Sequence, residues 1–261
     1  MKKWLKIFIP VLLVIIIFTI LGFVNHQQSE MVCTKVEIKI LGKKELQFID
    51  RDDINNKINK IAGSPNGKKM DDLDPLQIEL EVEKLPAVKN AEVYKTIDGT
   101  LKLEVEQREP IARIINANGA GYYIDKDGQT MPLSNKYSAK VVVFTGESIE
   151  PYFKIALNDK NISDTILNKI IIDNIYILSS YIQKNPFLKA QVQQVFVNKN
   201  KEFEITPRVG NNNILLGSSD YLDEKFNNLM LFYAQIGKSG EWNKYSQVNL
   251  KFKDQIVCTK K

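Results

Sequence analysis

The chain has 261 residues, 44% hydrophobic and 26% charged, with 36 Lys and Arg against 31 Asp and Glu and a net charge of +5. These proportions exclude a disordered or low-complexity chain and leave room for one large or two modest globular domains. Residues 1–24 hold three lysines and no acid, so the remainder has 33 basic residues against 31 acidic ones, interspersed along the chain, which excludes a nucleic-acid surface.

Leu5–Val24, LKIFIPVLLVIIIFTILGFV, carries one charge in twenty residues and is long enough to span a bilayer as a helix. Lys6 lies near its edge, where the stem can snorkel, and Pro10 falls in the early turns, where a missing donor costs least. A cleavable signal peptide would have an apolar run of about 7–15 residues ending at a small-x-small site. Neither feature is present, and an uncleaved transmembrane anchor is the better reading. Lys2, Lys3 and Lys6 precede or open the span while Asn25–Thr34 has no Lys or Arg. That asymmetry makes residues 1–4 a cytoplasmic tail and puts the rest outside the cytoplasm.

Beyond the anchor, Val36, Ile38 and Ile40 alternate with Lys35, Glu37 and Lys39, the pattern of a half-buried strand. FIDRDDINNKINKIAG then predicts a short amphipathic helix, capped by Asp50 or Asp52, apolar at Ile54, Ile58 and Ile61, and stopped at Gly63. DPLQIELEVEKLP is ambiguous, because Ile78, Leu80 and Val82 alternate as in a strand. Asp74 followed by Pro75 at a first helical position decides for helix, with Pro86 ending it. Val88–Thr96 and Thr100–Gln107 form a hairpin around Asp98-Gly99. Residues 31–107 thus read as a β-α-α-β-β module.

Arg108-Glu109-Pro110 breaks the pattern and marks a domain boundary. Strands follow at Ile111–Asn116 and Gly121–Ile124, a turn at Asp125–Gly128, and a buried-type run at Val141–Thr145. Ser163–Lys184 is a long helix rather than a second span, since Asn168, Lys169, Asp173 and Asn174 interrupt it. Strands are expected at Gln191–Asn198, Glu202–Pro207 and Ile214–Gly217. Ser219 or Asp220 can cap a helix with Leu222, Phe226, Leu229 and Tyr233 on one face, ending near Gly237. Val248, Leu250 and Phe252 alternate in one strand, and Gln255–Thr259 form a short last one.

Each candidate for chemistry has a structural explanation. DKDGQ at 125–129 resembles the start of a calcium loop but lacks the required Gly and Glu further on, so it reads as a turn. Ser218 and Ser219 have no imidazole base, because the single His, His26, lies beside the expected anchor. Asp71, Asp72 and Asp74 suit a helix N-terminus. Cys33 and Cys258, each within a VCTK tetrapeptide, read as strand residues in different domains with free thiols. No catalytic, metal or cofactor site emerges, and binding becomes the favoured class.

LPAVKNAEVYKTIDGTLKLEVEQREPIARI at 85–114 resembles the end of a POTRA domain and its exit in the FtsQ/DivIB cell-division proteins. The shared residues are Leu85, Pro86, Val88, Ala91, Val93, Leu101, Leu103, Val105, Arg108, Pro110 and Ala112. GYYIDKDGQTMPL at 121–133 and SQVNLKFKDQIVCTK at 246–260 resemble the family's next signature and its terminal strand pair. Ala87 and the turn Ile97-Asp98-Gly99 depart from the family's usual aromatic and Trp-Pro type of segment.

The resemblance implies an α+β fold with a single N-terminal transmembrane helix at 5–24, a POTRA domain at 31–107 and an FtsQ-type β domain at 108–261. It also implies a non-enzymatic divisome scaffold, single-pass in the cell inner membrane at the septum. Such a scaffold binds small bitopic coiled-coil proteins of the FtsB/FtsL or DivIC type, binds other division proteins through the POTRA domain, and helps regulate septal peptidoglycan synthesis. With the short alternating run at the C-terminus, it makes Gln255–Thr259 an exposed edge strand for β-augmentation, with Phe252, Lys253, Asp254, Gln255, Ile256 and Val257 as partner-binding residues. Two rivals stand beside this reading. One is an anchored envelope enzyme, such as a carboxylate-dependent peptidoglycan hydrolase; the other is a POTRA-containing export or assembly factor, for which the chain has no barrel pattern.

Overall fold

The computed structural model describes residues 15, 16, 19, 31–115, 119–146, 149 and 162–261, with backbone alone for 162–170. Contacts divide the chain into two compact units that meet in sequence between Gln107 and Arg108. Among the described residues no helix is long and apolar enough to cross a membrane. The expected anchor, Leu5–Val24, lies outside the described residues except for Ile15, Ile16 and Thr19, which are helical.

The first unit runs β1 (Lys35–Leu41), α1 (Arg51–Ala62), a single 3-10 turn (Met70–Asp72), α2 (Pro75–Glu83), β2 (Val88–Lys95) and β3 (Thr100–Gln107). Local chemistry sets its helices. Asp50 closes a capping box, accepting from the Asp53 N–H at 2.9 Å while the Asp53 carboxylate accepts from the Asp50 N–H at 3.1 Å. Asp74 accepts from the N–H groups of Leu76 and Gln77 at 3.0 and 3.3 Å. In α2 the helical spacing wins over the alternation, because Ile78 and Val82 are buried and Leu80 is exposed.

The sheet order is β1-β3-β2, with β1 parallel and β2 antiparallel to the central strand. Leu101, Leu103 and Val105 of β3 are fully buried and pack in one cluster with Ile54, Ile58, Ile78 and Val82 of the helices. The hairpin turn needs Gly99, whose φ is +80°. A Cβ there would also come within 2.8 Å of the Val32 carbonyl oxygen.

The second unit runs β4 (Pro110–Ile115), β5 (Gly121–Asp125), β6 (Thr130–Pro132), β7 (Val142–Gly146), α3 (Ile162–Lys184), α4 (Pro186–Gln191) and β8 (Val192–Val197). It continues through β9 (Phe203–Pro207), β10 (Asn213–Gly217), α5 (Leu222–Ser239), β11 (Tyr245–Asn249) and β12 (Val257–Lys260). These strands make one nine-stranded sheet in the order β12-β11-β10-β9-β8-β7-β4-β5-β6. The parallel steps β7–β8 and β10–β11 are joined by the helices, α3 with α4 and α5 respectively. Ile171, Ile175, Leu178 and Ile182 of α3, and Leu222, Phe226, Leu229 and Tyr233 of α5, recur at helical spacing. They share one core with Phe144, Val195, Ile205, Ile214 and Val248 of the sheet.

Several sequence expectations are corrected. Ser219 and Asp220 do not cap α5: its N-terminal boundary residue is Tyr221, which offers no side-chain cap, and the helix runs past Gly237 to Ser239, with Gly240 as its C-cap. Ser219 instead donates to Asn174 Oδ1 at 2.9 Å, tying the segment to α3. Gln191 belongs to α4, because Asn185 caps a helix with Pro186 at its first position. Phe252 is outside β11, which ends at Asn249, and β12 begins at Val257 rather than Gln255. Asp254 takes a left-handed conformation at φ 57°, so residues 252–256 are consumed in turning the chain back.

Candidate functional site

The C-terminal strand forms one end of the large sheet. β12 pairs antiparallel with β11, with Asn249 opposite Val257, Val248 opposite Cys258 and Gln247 opposite Thr259. Its other edge has no strand beside it among the described residues. Side chains alternate about this strand. Ile256 and Cys258 pack against the core, whereas Val257 is 42% exposed. Of the six partner-binding residues expected from sequence, Phe252 to Gln255 and Val257 are exposed, and Ile256 is half-buried.

Beside this strand lies a cleft of about 220 Å³ lined by Tyr221, Glu224, Lys225, Leu250, Lys251, Phe252 and Lys253. Two turns shape it. The Asp254 N–H donates to Glu224 Oε1 at 2.9 Å, which pins the 252–254 turn to the first turn of α5. Tyr221 sits at φ 54°, ψ 39°, a left-handed conformation uncommon for a bulky residue, and its side chain is 79% exposed. The described non-glycine residues with positive φ are Lys201, Tyr221 and Asp254. Two of these three belong to this one corner, so backbone strain concentrates where aromatic surface is displayed.

Its charge is mainly cationic. Lys251 Nζ bridges both carboxylate oxygens of Glu202 at 2.8 and 3.0 Å. Lys225 Nζ donates to the Ser218 carbonyl at 2.9 Å. Burial pushes the Lys225 ammonium below the ordinary lysine value, against the pull of Asp220, Glu224 and Glu202. The cleft thus offers apolar surface from exposed Tyr221 and Phe252 beside Lys225, Lys251 and Lys253. Of this lining, sequence reasoning named Phe252 and Lys253 as partner-binding and missed Tyr221, Glu224, Lys225, Leu250 and Lys251. The available signal was the closely spaced Lys251 and Lys253 about Phe252, since an αL aromatic before a helix has no sequence signature.

The residues weighed for chemistry are occupied structurally. Asp125 Oδ1 accepts from the N–H groups of Asp127 and Gln129 at 3.0 and 2.8 Å, so this carboxylate organises its own turn. Ser218 donates to Asp220 Oδ2 at 2.8 Å. Asp74 caps α2, Asp71 and Asp72 form the preceding 3-10 turn, and His26 is outside the described residues. Among the described residues no group of three His, Cys, Asp or Glu is placed to hold a metal ion. Cys33 and Cys258 are both free thiols, the first buried and the second half-buried.

The small sheet also has two ends, and one is covered. Glu79 Oε1 accepts from the Val93 N–H at 2.7 Å and Glu83 Oε1 from the Ala91 N–H at 3.2 Å. Two carboxylates of α2 therefore occupy donors on the outer side of β2.

Residues 109–259 match the family model described as FtsQ/DivIB, C-terminal related, and residues 31–106 match a POTRA-like domain. The cell division protein FtsQ of Rhodothermus marinus is 24% identical over 205 residues, covering 77% of this chain and 70% of that protein. The cell division protein FtsQ of Geotalea daltonii is 24% identical over 217 residues, covering 83% of this chain and 73% of that one. With the first of these matches spanning more than half of its length, the chain belongs to the FtsQ/DivIB family of cell-division proteins.

Proposed function

We propose that the chain is a non-enzymatic scaffold of the division machinery that holds a partner by strand addition at β12. In this reading residues 5–24 anchor it once in the cytoplasmic membrane with residues 1–4 inside, and a POTRA domain at 31–107 and a β domain at 108–261 stand outside, at the septum. The occupant is an extended segment of a small bitopic protein of the FtsB/FtsL or DivIC type. Its backbone pairs with the open edge of β12, an apolar or aromatic side chain enters the cleft at Tyr221 and Phe252, and its carboxylates meet Lys225, Lys251 and Lys253. Holding such partners in place is how the scaffold helps regulate septal peptidoglycan synthesis.

The observation that carries this reading is the open edge of β12 beside a cationic cleft whose Tyr221 is held in a strained, exposed conformation. Further division proteins engage the POTRA domain. Glu79 and Glu83 cover the β2 side of its sheet, which favours the β1 side for them. The test is depletion of the protein in its native cell followed by microscopy. Filaments without septa are expected. Normal septation with altered wall digestion would overturn the scaffold reading in favour of an envelope enzyme.

A further inference from the structure

The first unit has a distinct pole where the chain enters it. Because β1 runs parallel to β3, with Lys35 opposite Thr100, the entry point and the β2–β3 hairpin tip lie at the same end of the sheet. They are bonded together: the Thr34 N–H donates to the Gly99 carbonyl at 2.8 Å, and the Thr34 hydroxyl donates to the same oxygen at 3.1 Å. Val32 in turn bridges to Lys69 in the loop before the 3-10 turn. The tip is itself rigid, since Asp98 accepts from the Thr96 hydroxyl and from the Thr100 N–H, the latter at 3.2 Å.

Ile97 projects from this braced tip and is 84% exposed, the most exposed large hydrophobic side chain among the described residues. A β-branched apolar residue is unusual in a tight turn, where Gly, Asn, Asp, Ser and Pro dominate. Exposed Val32 stands on the adjoining entry segment. Only residues 25–30 separate the end of the proposed span, Val24, from Met31. Even fully extended, the chain from Val24 to Met31 reaches about 25 Å. The pole bearing Ile97 is therefore the part of the unit that its own tether keeps nearest the bilayer.

We propose that Ile97, with Val32 beside it, is a membrane-contacting wedge that enters the lipid interface and sets the orientation of the first unit on the membrane. This rests on the reading of Leu5–Val24 as an anchor. The contact is apolar rather than electrostatic, because the pole carries both signs: exposed Lys35, Lys68, Lys69 and Lys95 stand with Asp71, Asp72 and Asp98. Raised salt should leave it intact, unlike the attachment of a basic patch to anionic lipid.

The test uses the full chain in phosphatidylcholine vesicles containing spin-labelled lipid, in a Cys33→Ala, Cys258→Ala background. An environment-sensitive fluorophore is attached at Ile97→Cys, at Leu80→Cys on the exposed face of α2, and at Leu13→Cys within the anchor. A blue-shifted, lipid-quenched, salt-insensitive signal at 97, with none at 80 and strong quenching at 13, is the expected result. Quenching at 13 with position 97 behaving as position 80 overturns the wedge and leaves the anchor standing. No quenching at 13 removes the anchor and the wedge with it.

Discussion

Arg108 Nη1 donates to Asp125 Oδ2 at 2.9 Å, and the Asp125 side chain is wholly excluded from solvent. The same carboxylate takes the backbone N–H groups of Asp127 and Gln129 on its other oxygen. One buried group thus ties the first residue of the second unit to the β5–β6 turn. Asp125→Ala leaves a guanidinium and two amide donors without their acceptor. The expected loss is about 3–5 kcal/mol, the usual cost of breaking a buried pair from one side, measured by urea unfolding of a 31–261 fragment. Arg108→Lys keeps the charge but loses the planar fork, and should fall between that variant and the native protein.

Tyr221 separates stability from binding. A left-handed conformation costs an L-residue about 1–2 kcal/mol, whereas glycine gives back about 0.5–1 kcal/mol in backbone entropy. Since the ring is almost wholly exposed, Tyr221→Gly should leave the melting temperature unchanged or slightly raised. If the ring is a docking group, the same variant weakens partner binding in a pull-down or titration. Tyr221→Ala should bind as poorly without the gain in stability. Native affinity in both variants would remove Tyr221 from the site.

The first unit was legible because its elements are specified by neighbours in sequence. Asp50 with Asp53, Asp74 with Pro75, and Asp98 with Gly99 each carry their structural instruction within four residues. The second unit was less so. Its strand order depends on where α3, α4 and α5 lay their apolar faces, a choice made by packing and invisible to periodicity. Asn185-Pro186 was a readable helix start that the apolar, β-branched run after it obscured. At the candidate site, the terminal strand shows in the alternation of Ile256, Val257 and Cys258. The cleft does not, because it unites Tyr221 with Phe252 across thirty-one positions through two left-handed residues.

Glu79 and Glu83 act as guards if their acceptance of the β2 donors matters. Glu79→Ala with Glu83→Ala leaves the N–H groups of Ala91 and Val93 available to another strand. The double variant should therefore self-associate in sedimentation experiments at concentrations where the native fragment is monomeric. A monomeric double variant with native stability would show that the carboxylates do not protect this edge.

Glu202 gives the second unit an acid-sensitive contact. Its hydrogen bond to Lys251 holds the carboxyl below the usual glutamate range, outweighing the opposite effect of burial. A carboxylate with a depressed folded-state value contributes fully above its unfolded value, near about 4.3, and loses that contribution as pH falls through the folded value. Glu202→Gln should consequently be less stable than the native protein at neutral pH and converge with it in acid. The neutral-pH deficit is small, because the side chain is one-third exposed and solvent screens the pair. An unchanged gap across the acid range would assign the loss to packing instead.

The docking edge is tested by proline at two adjacent positions. Successive N–H groups in a strand point to opposite sides, so of Val257 and Cys258 one donor faces β11 and the other faces the open edge. Proline removes the donor and fixes φ wherever it is placed. At the position facing β11 it breaks an internal ladder bond and lowers the melting temperature of the fragment. At the position facing outward it costs the fold little and denies the partner a bond. The Leu250 N–H donates to the Leu215 carbonyl beside β10 and the Lys261 N–H to the Lys244 carbonyl, so by alternation the Val257 donor faces Asn249 of β11 and the Cys258 donor faces the open edge. Cys258→Pro should therefore weaken partner binding at least tenfold, about 1.4 kcal/mol, with the smaller loss of melting temperature of the two, whereas Val257→Pro should chiefly lower the melting temperature. Ile256→Ala, trimming a side chain turned toward the core, should have a smaller effect on binding and a measurable one on stability. Native affinity in a folded Cys258→Pro variant would move the docking edge away from β12, first to the β1 side of the small sheet.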